Sequence, residues 1–285
     1  MPDEPTRKNP KSAENGTSGA GSATLTAVSD PSDLVVQPSA APPRPLRQAV
    51  VLAGGLATRM YPRTRQIPKF LLPVAGRPFG HHLLARLAGA GYDEVVLCIG
   101  HLGDAIRQEI GDGRAFGLEV RYADEGEARL GTAGALRGAL ALLAPVLLVT
   151  YGDSYLPFDY AAPLVDLLAH PEALGTMAVY RNADLLDASN CEVSDERVVR
   201  YEKRRVDERR DPGLDHIDYG AIALRREVIA ALPEGPGDLA VVQRDLARAG
   251  RLRALPVTTR FYEIGSEAGY GDLEAHLGGR GEGVR

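Results

Sequence analysis

The sequence predicts an α/β fold on a mixed, mainly parallel central sheet, and three observations lead there. The runs Val50-Val51-Leu52, Glu94–Ile99 (EVVLCI) and Pro145–Thr150 (PVLLVT) are continuously apolar, as strands covered on both faces are. Segments of helical length, rich in Ala and Leu, separate them. Strand, loop and helix repeat in that order from Leu46, and parallel strands need such crossover connections.

The elements follow in order. Gln48–Leu52 reads as the first strand, and Phe79–Ala90 as a helix closed by Gly91. Glu94–Ile99 is a strand, and Asp104–Ile110 a short helix stopped by Gly111 and Gly113. Leu118–Tyr122 is a strand, Ala133–Leu143 a helix and Pro145–Thr150 a strand. The second half is more mixed. Thr176–Tyr180, Glu192–Val193, Val198–Lys203, Tyr219–Leu224 and Phe261–Ile264 read as strands. Arg226–Ala231, Leu239–Ala249 and Glu267–Leu277 read as helices.

Composition bounds the function. The chain has 285 residues, 44% of them apolar, enough to bury a core. Residues 1–44 are dominated by Pro, Ser, Gly, Ala, Thr and charge, so a disordered tail is expected there and a single domain over 45–285. The net charge of −5 argues against a general nucleic-acid surface. The basic run around Lys203 to Arg210 is interleaved with Asp207, Glu208 and Asp211, and reads as a solvated or ligand-facing loop. Cys98 and Cys191 are far apart and form no CxxC pair, so two reduced, buried thiols are expected. No apolar run approaches the roughly 20 residues that span a bilayer, and the first residues contain no apolar signal core. The expected compartment is the cytoplasm, with no membrane partner.

Three loops carry the chemistry, each at the carboxyl end of a strand, where open α/β sheets bind ligands. In Ala53-Gly54-Gly55-Leu56-Ala57-Thr58-Arg59, the glycines let backbone N–H groups approach phosphate oxygens. Arg59 adds a bidentate donor, and Lys69 a second cation on a segment stiffened by Pro62, Pro68, Pro73 and Pro78. The loop contains neither GxxxxGK[ST] nor GxGxxG. In Tyr151-Gly152-Asp153-Ser154, the aspartate either holds Mg2+ or caps a turn. In Gly131-Thr132-Ala133-Gly134-Ala135, small residues either admit a flat base or sugar or simply pack a tight connection.

Together these loops resemble the sugar-phosphate nucleotidyltransferase family. Its opening pattern, L-A-G-G-x-G-T-R-L followed by P-K-x-L-x-P-V and a later Pro, stands here as Leu52–Met60, Pro68–Val74 and Pro78. LGTAGAL (130–136), GDS (152–154), Glu202-Lys203, Asp218-Tyr219-Gly220 and Phe261–Ser266 follow in the family's order. The resemblance runs from about Leu46 to Leu277 and looks closest to bacterial heptose 1-phosphate and mannose 1-phosphate guanylyltransferases. It implies a Rossmann-like, three-layer, GT-A-like nucleotidyltransferase fold. It also implies an enzyme that joins a nucleoside triphosphate, GTP favoured, to a sugar 1-phosphate with Mg2+ and releases pyrophosphate.

By that resemblance Arg59, Lys69 and Asp153 are catalytic, and Asp153 with Glu263 holds the metal. Leu52, Ala53, Gly54, Gly55, Thr58, Gly131 and Gly134 contact the nucleotide. Lys203 binds the sugar phosphate, and Glu202 and Asp218 accept from sugar hydroxyls. Some positions depart from the pattern. Ala57 replaces a glycine, a mild change if its φ is negative. Phe70 replaces a common proline, Arg204 follows Glu202-Lys203 where proline is usual, Glu263 stands for an aspartate and Asp218 for an asparagine. A catalytically silent, nucleotide-sugar-binding regulatory relative and a uridylyltransferase for an amino-sugar 1-phosphate are the alternatives. The sequence leaves the oligomeric state open, a homo-oligomer included.

Overall fold

The structure, a computed structural model, describes residues 47–204 and 208–279. The expected tail over 1–44 lies outside the described residues. In chain order the elements are β1 (Gln48–Leu52), β2 (Pro73–Val74), β3 (Arg77–Pro78), α1 (Phe79–Gly89), β4 (Glu94–Ile99), α2 (Gly103–Ile110) and β5 (Glu119–Asp124). There follow α3 (Gly131–Gly138), β6 (Val146–Tyr151), β7 (Ser154–Tyr155), α4 (Ala162–Ala169), β8 (Gly175–Arg181), β9 (Cys191–Ser194), β10 (Arg197–Tyr201) and β11 (His216–Arg225). The last are α5 (Arg226–Ala230), α6 (Leu239–Arg248), β12 (Leu252–Val257), β13 (Tyr262–Glu263) and α7 (Glu267–Gly278).

Nine strands form one sheet in the order β5-β4-β1-β6-β11-β8-β12-β10-β9. The β5-β4-β1-β6 half is parallel. Antiparallel β11 breaks the run, pairing with both β6 and β8, and β10 runs against β12 and β9. The sheet is therefore mixed and mainly parallel, as expected.

Alternation along each strand divides the core into two apolar layers. Ala49 and Val51 of β1 face α1, α2 and α7, where Leu83, Leu84, Leu87, Ile106 and Leu273 pack. Val50 faces α3, α5 and α6, where Leu136, Ile229, Leu239 and Leu246 pack. Helices on both faces make three layers, the arrangement that lets strands be apolar throughout.

Five of the described elements lie outside the expected set: the two-residue strands β2, β3 and β7, the helix α4 and the strand β12. α4 buries Leu164 and Leu167 but turns Val165 and Leu168 outward, each more than half exposed, so no clean apolar stripe announces it. β12 contains Pro256, which lacks the N–H of a strand residue, yet it pairs along β8 from Leu252 to Val257. α3 is shorter than expected. It ends at Gly138, and a single tighter turn, Leu140–Leu142, leads into β6.

Candidate active site

β4, β1 and β6 end side by side, with Leu52 in register with both Cys98 and Tyr151. Their loops therefore leave the sheet together. Ala53 N donates to Cys98 O at 2.8 Å and Gly152 N to Leu52 O at 2.9 Å, which ties the three loops by backbone. Above these ends lies a cavity of about 460 Å3, lined by Leu52–Thr58, Lys69, Phe70, Cys98, Glu125, Arg129, Gly131, Thr132, Ala135 and Tyr151–Asp153. That volume is in the range of small-molecule sites.

The loop after β1 departs from one expectation. Ala57 has φ +52°, in the left-handed region, not the negative φ expected of it. Its carbonyl accepts from Met60 N at 3.0 Å and from Thr64 Oγ1 at 2.8 Å, so two bonds hold the turn against the alanine's own preference.

A charged cluster sits beside the cavity. Lys69 Nζ donates to Asp153 Oδ2 at 2.9 Å. The short β13–β7 ribbon sets Glu263 opposite Ser154, and Ile264 N donates to Asp153 O at 2.9 Å. Glu263 thereby joins Asp153 across 110 residues of chain. A Cβ placed on Gly265 would lie 3.6 Å from Arg59 Nη2 and 4.0 Å from both Glu263 Oε2 and Lys69 Nζ, so the two cations converge on the glutamate. Glu263 keeps an exposed face but is crowded by protein on its other sides. That burial, then the charge of Asp153, pushes its carboxyl from the ordinary 4.5 up to about 7, against the pull of Lys69 and Arg59. Two crowded carboxylates of this kind fit a hard, oxygen-seeking divalent cation. Among the described residues no group of three or more His, Cys, Asp or Glu gathers as a metal cage, so further ligands would come from substrate and water.

A second polar region lies past Tyr151. Burial raises the Tyr151 phenol well above its ordinary value, and Asp218, Asp238, Asp153 and Glu263 add to the effect. Asp218 is held by Gln243 Nε2 at 2.6 Å and Gly220 N at 2.9 Å; burial raises its carboxyl nonetheless. Lys203 pairs with Asp238, which caps α6.

Leu52, Ala53, Gly54, Gly55, Thr58, Lys69, Gly131 and Asp153 thus line one cavity, while Arg59 and Glu263 stand at its charged edge. Gly134 does not reach the cavity; it packs against the Gly235 carbonyl. Glu202, Lys203 and Asp218 also lie outside the cavity lining.

Glu125 and Arg129 are cavity residues that the sequence reading missed. They sit in the charged run Asp124–Arg129, between the strand expected at Leu118–Tyr122 and the helix expected at Ala133–Leu143. Glu125 Oε2 accepts from Leu130 N at 3.2 Å, and Oε1 lies 2.7 Å from where a Cβ on Gly54 would be. Burial raises the Glu125 carboxyl.

Residues 48–185 match the nucleotidyl transferase family model. The chain is 35% identical over 189 residues to mannose-1-phosphate guanylyltransferase of Mycobacterium tuberculosis, covering 66% of this chain and 51% of that one. It is 39% identical over 126 residues to N-acetylmuramate alpha-1-phosphate uridylyltransferase of Neisseria meningitidis, covering 44% of this chain and 54% of that one. It therefore spans about half the length of these curated relatives. The solved structure of HddC from Yersinia pseudotuberculosis superposes with a TM-score of 0.67 at 22% identity, covering 81% of this chain and 100% of that one, and so shares the fold. Residues 48–185 thus carry a nucleotidyl transferase domain, with strand ends and loops arranged as above.

Proposed function

We propose that the protein transfers a nucleotidyl group from a nucleoside triphosphate, GTP by preference, to a heptose- or mannose-type sugar 1-phosphate. The observation that carries the reading is the meeting of Arg59, Lys69, Asp153 and Glu263 at the edge of a nucleotide-sized cavity. A sugar-phosphate oxygen attacks the α-phosphorus in line, the bond to the bridging oxygen of the β-phosphate breaks, and pyrophosphate leaves. The nucleophile is already an anion, so no general base is needed. The protein positions charge and neutralises it.

Arg59 holds the β- and γ-phosphates, and Lys69 faces the α-phosphate. Asp153 and Glu263 hold a divalent cation, Mg2+ by ligand type; when bound it neutralises phosphate charge. Lys203 takes the sugar phosphate, and Glu202 and Asp218 face sugar hydroxyls. Backbone from Leu52 to Gly55 and at Gly131 packs on base and ribose.

Glu125 supports guanine. An ionised carboxylate only accepts, and of the Watson–Crick edges guanine's alone presents two adjacent donors, N1–H and N2–H2. The identity to mannose-1-phosphate guanylyltransferase points the same way. A second reading, uridylyl transfer to an amino-sugar 1-phosphate, has the 39% identity to the N-acetylmuramate relative in its favour.

The test is pyrophosphate release by purified protein with Mg2+. GTP, ATP, UTP, CTP and dTTP are each run against mannose, glucose, heptose and N-acetylmuramate 1-phosphates. Release with GTP and mannose or heptose 1-phosphate is expected. Release with UTP and N-acetylmuramate 1-phosphate would favour the second reading. Silence from folded protein that still shows a thermal shift with nucleotide sugars would mark a binding-only relative.

A further inference from the structure

Thr132 of the cavity lining and Lys203 beyond β10 come from distant parts of the chain, and the carboxylate of Asp238 touches both. Asp238 is the N-cap of α6, and its Oδ1 accepts from Ala240 N at 3.0 Å and from Thr132 Oγ1 at 3.3 Å. Thr132 lines the cavity and in turn accepts from Leu239 N at 2.8 Å. Backbone bonds close the same seam: Ala133 N donates to Gly237 O at 3.0 Å and Gly237 N to Leu130 O at 2.8 Å. The other carboxylate oxygen, Oδ2, accepts from Lys203 Nζ, just beyond β10.

We propose that Asp238 is a positioning residue, which fixes the Lys203 ammonium at a set place relative to the nucleotide cavity. The proposal rests on the nucleotidyl-transfer reading only for the ligand that Lys203 receives. The physical case starts from Lys203 itself. Its side chain is 68% exposed on a four-carbon stem, so without a partner it samples many rotamers. Asp238 can order it because Asp238 is itself fixed, by a helix cap and by Thr132. Burial alone would raise the Asp238 carboxyl, but the bonds from Lys203 and Ala240 N outweigh it and hold the group ionised.

The lysine has three donors, so pairing with Asp238 leaves two for phosphate oxygens. The carboxylate does not repel the incoming anion strongly, because it sits on the positive N-terminus of α6. Ordering the ammonium beforehand removes a cost that phosphate binding would otherwise carry. The seam through Thr132 then sets the distance between the sugar-phosphate donor and the nucleotide.

Asp238→Asn isolates the effect. An asparagine oxygen still caps α6 and still accepts from Thr132, so the melting temperature should stay within about 2 °C. Should that variant melt early, Asp238→Ser, another strong cap, takes its place. Two readouts follow on the full chain. Acetylation of Lys203 by an amine-selective reagent, quantified by peptide mass spectrometry, should rise about five-fold once the ion pair is gone. The KM for the sugar 1-phosphate that works in the substrate grid should rise about ten-fold, while the nucleotide KM stays within about two-fold.

In a Lys203→Met background the same change should leave the sugar-phosphate KM unaltered, because its route to the substrate has been removed. Unchanged labelling of Lys203 would overturn the proposal, as would an equal KM effect with and without the lysine. If the wild-type protein releases no pyrophosphate with any pair, the nucleotidyl-transfer reading fails, and the labelling still decides whether Asp238 holds Lys203.

Discussion

Ala57 carries a left-handed φ of +52° inside the loop that follows β1. A Cβ in that region costs roughly 1–2 kcal/mol, and a glycine there would regain part of it while loosening the unfolded chain. Ala57→Gly is expected to stabilise by about 0.5–1 kcal/mol, read as a higher urea midpoint at unchanged slope. Glu263 gives a prediction of opposite character. Its folded carboxyl titrates near 7, above the ordinary 4.5, chiefly through burial and then through Asp153. The stability it contributes is complete below pH 4.5 and is lost as pH rises through 7. Glu263→Gln should therefore melt higher than wild type at pH 8 in chelator, match it near pH 5, and lose turnover. Asp153→Asn keeps shape and removes charge. Turnover should fall by about 10^2-fold or more in a pyrophosphate assay, with little change in melting, since the Lys69 pair is partly solvated.

At the scale of elements, the seam between α3 and the segment before α6 is the sensitive joint. A Cβ on Gly131 would lie 2.6 Å from Gly237 O, and one on Gly134 would lie 2.5 Å from Gly235 O. Both obstacles are backbone, which cannot swing aside as a side chain can. Gly134→Ala should cost about 1–3 kcal/mol in spite of alanine's better helix propensity. Gly55 offers the contrast, because a Cβ there meets nothing within 4 Å. Gly55→Ala should stay within about 0.5 kcal/mol of wild type by denaturant melts. Equal costs at the two positions would mean that the seam is not the tight joint described.

For the whole molecule, the one sheet of nine strands ties both apolar layers together. Leu84 and Leu136 are both fully buried, one in each layer. Leu84→Ala and Leu136→Ala should each cost about 2–5 kcal/mol. Each should shift a single transition seen alike by tyrosine fluorescence and far-UV circular dichroism. Two separated transitions would mean that the layers unfold independently.

Much of the parallel half was legible because its strands are short apolar runs between glycine-stopped helices; the expected β1 and β4 bounds match the observed ones. α4 and β12 were not, since one turns Val165 and Leu168 to solvent and the other holds a proline. The cavity's glycine loop, Lys69 and Asp153 were legible for a related reason, as each follows directly on a recognisable strand or motif. Glu125 and Arg129 belong to no motif and lie between expected elements, and only folding turns them toward the cavity. By itself, then, the sequence determined the order and type of most elements and the loops that face a ligand, since these depend on local periodicity and spacing. The resemblance already pairs Glu263 with Asp153, but only the tertiary structure shows the β13–β7 ribbon that brings them together, and only it decided that Asp238 meets Lys203 and Thr132 across the α3–α6 seam. Those contacts depend on how the strands are ordered in the sheet, and no window of sequence contains that information.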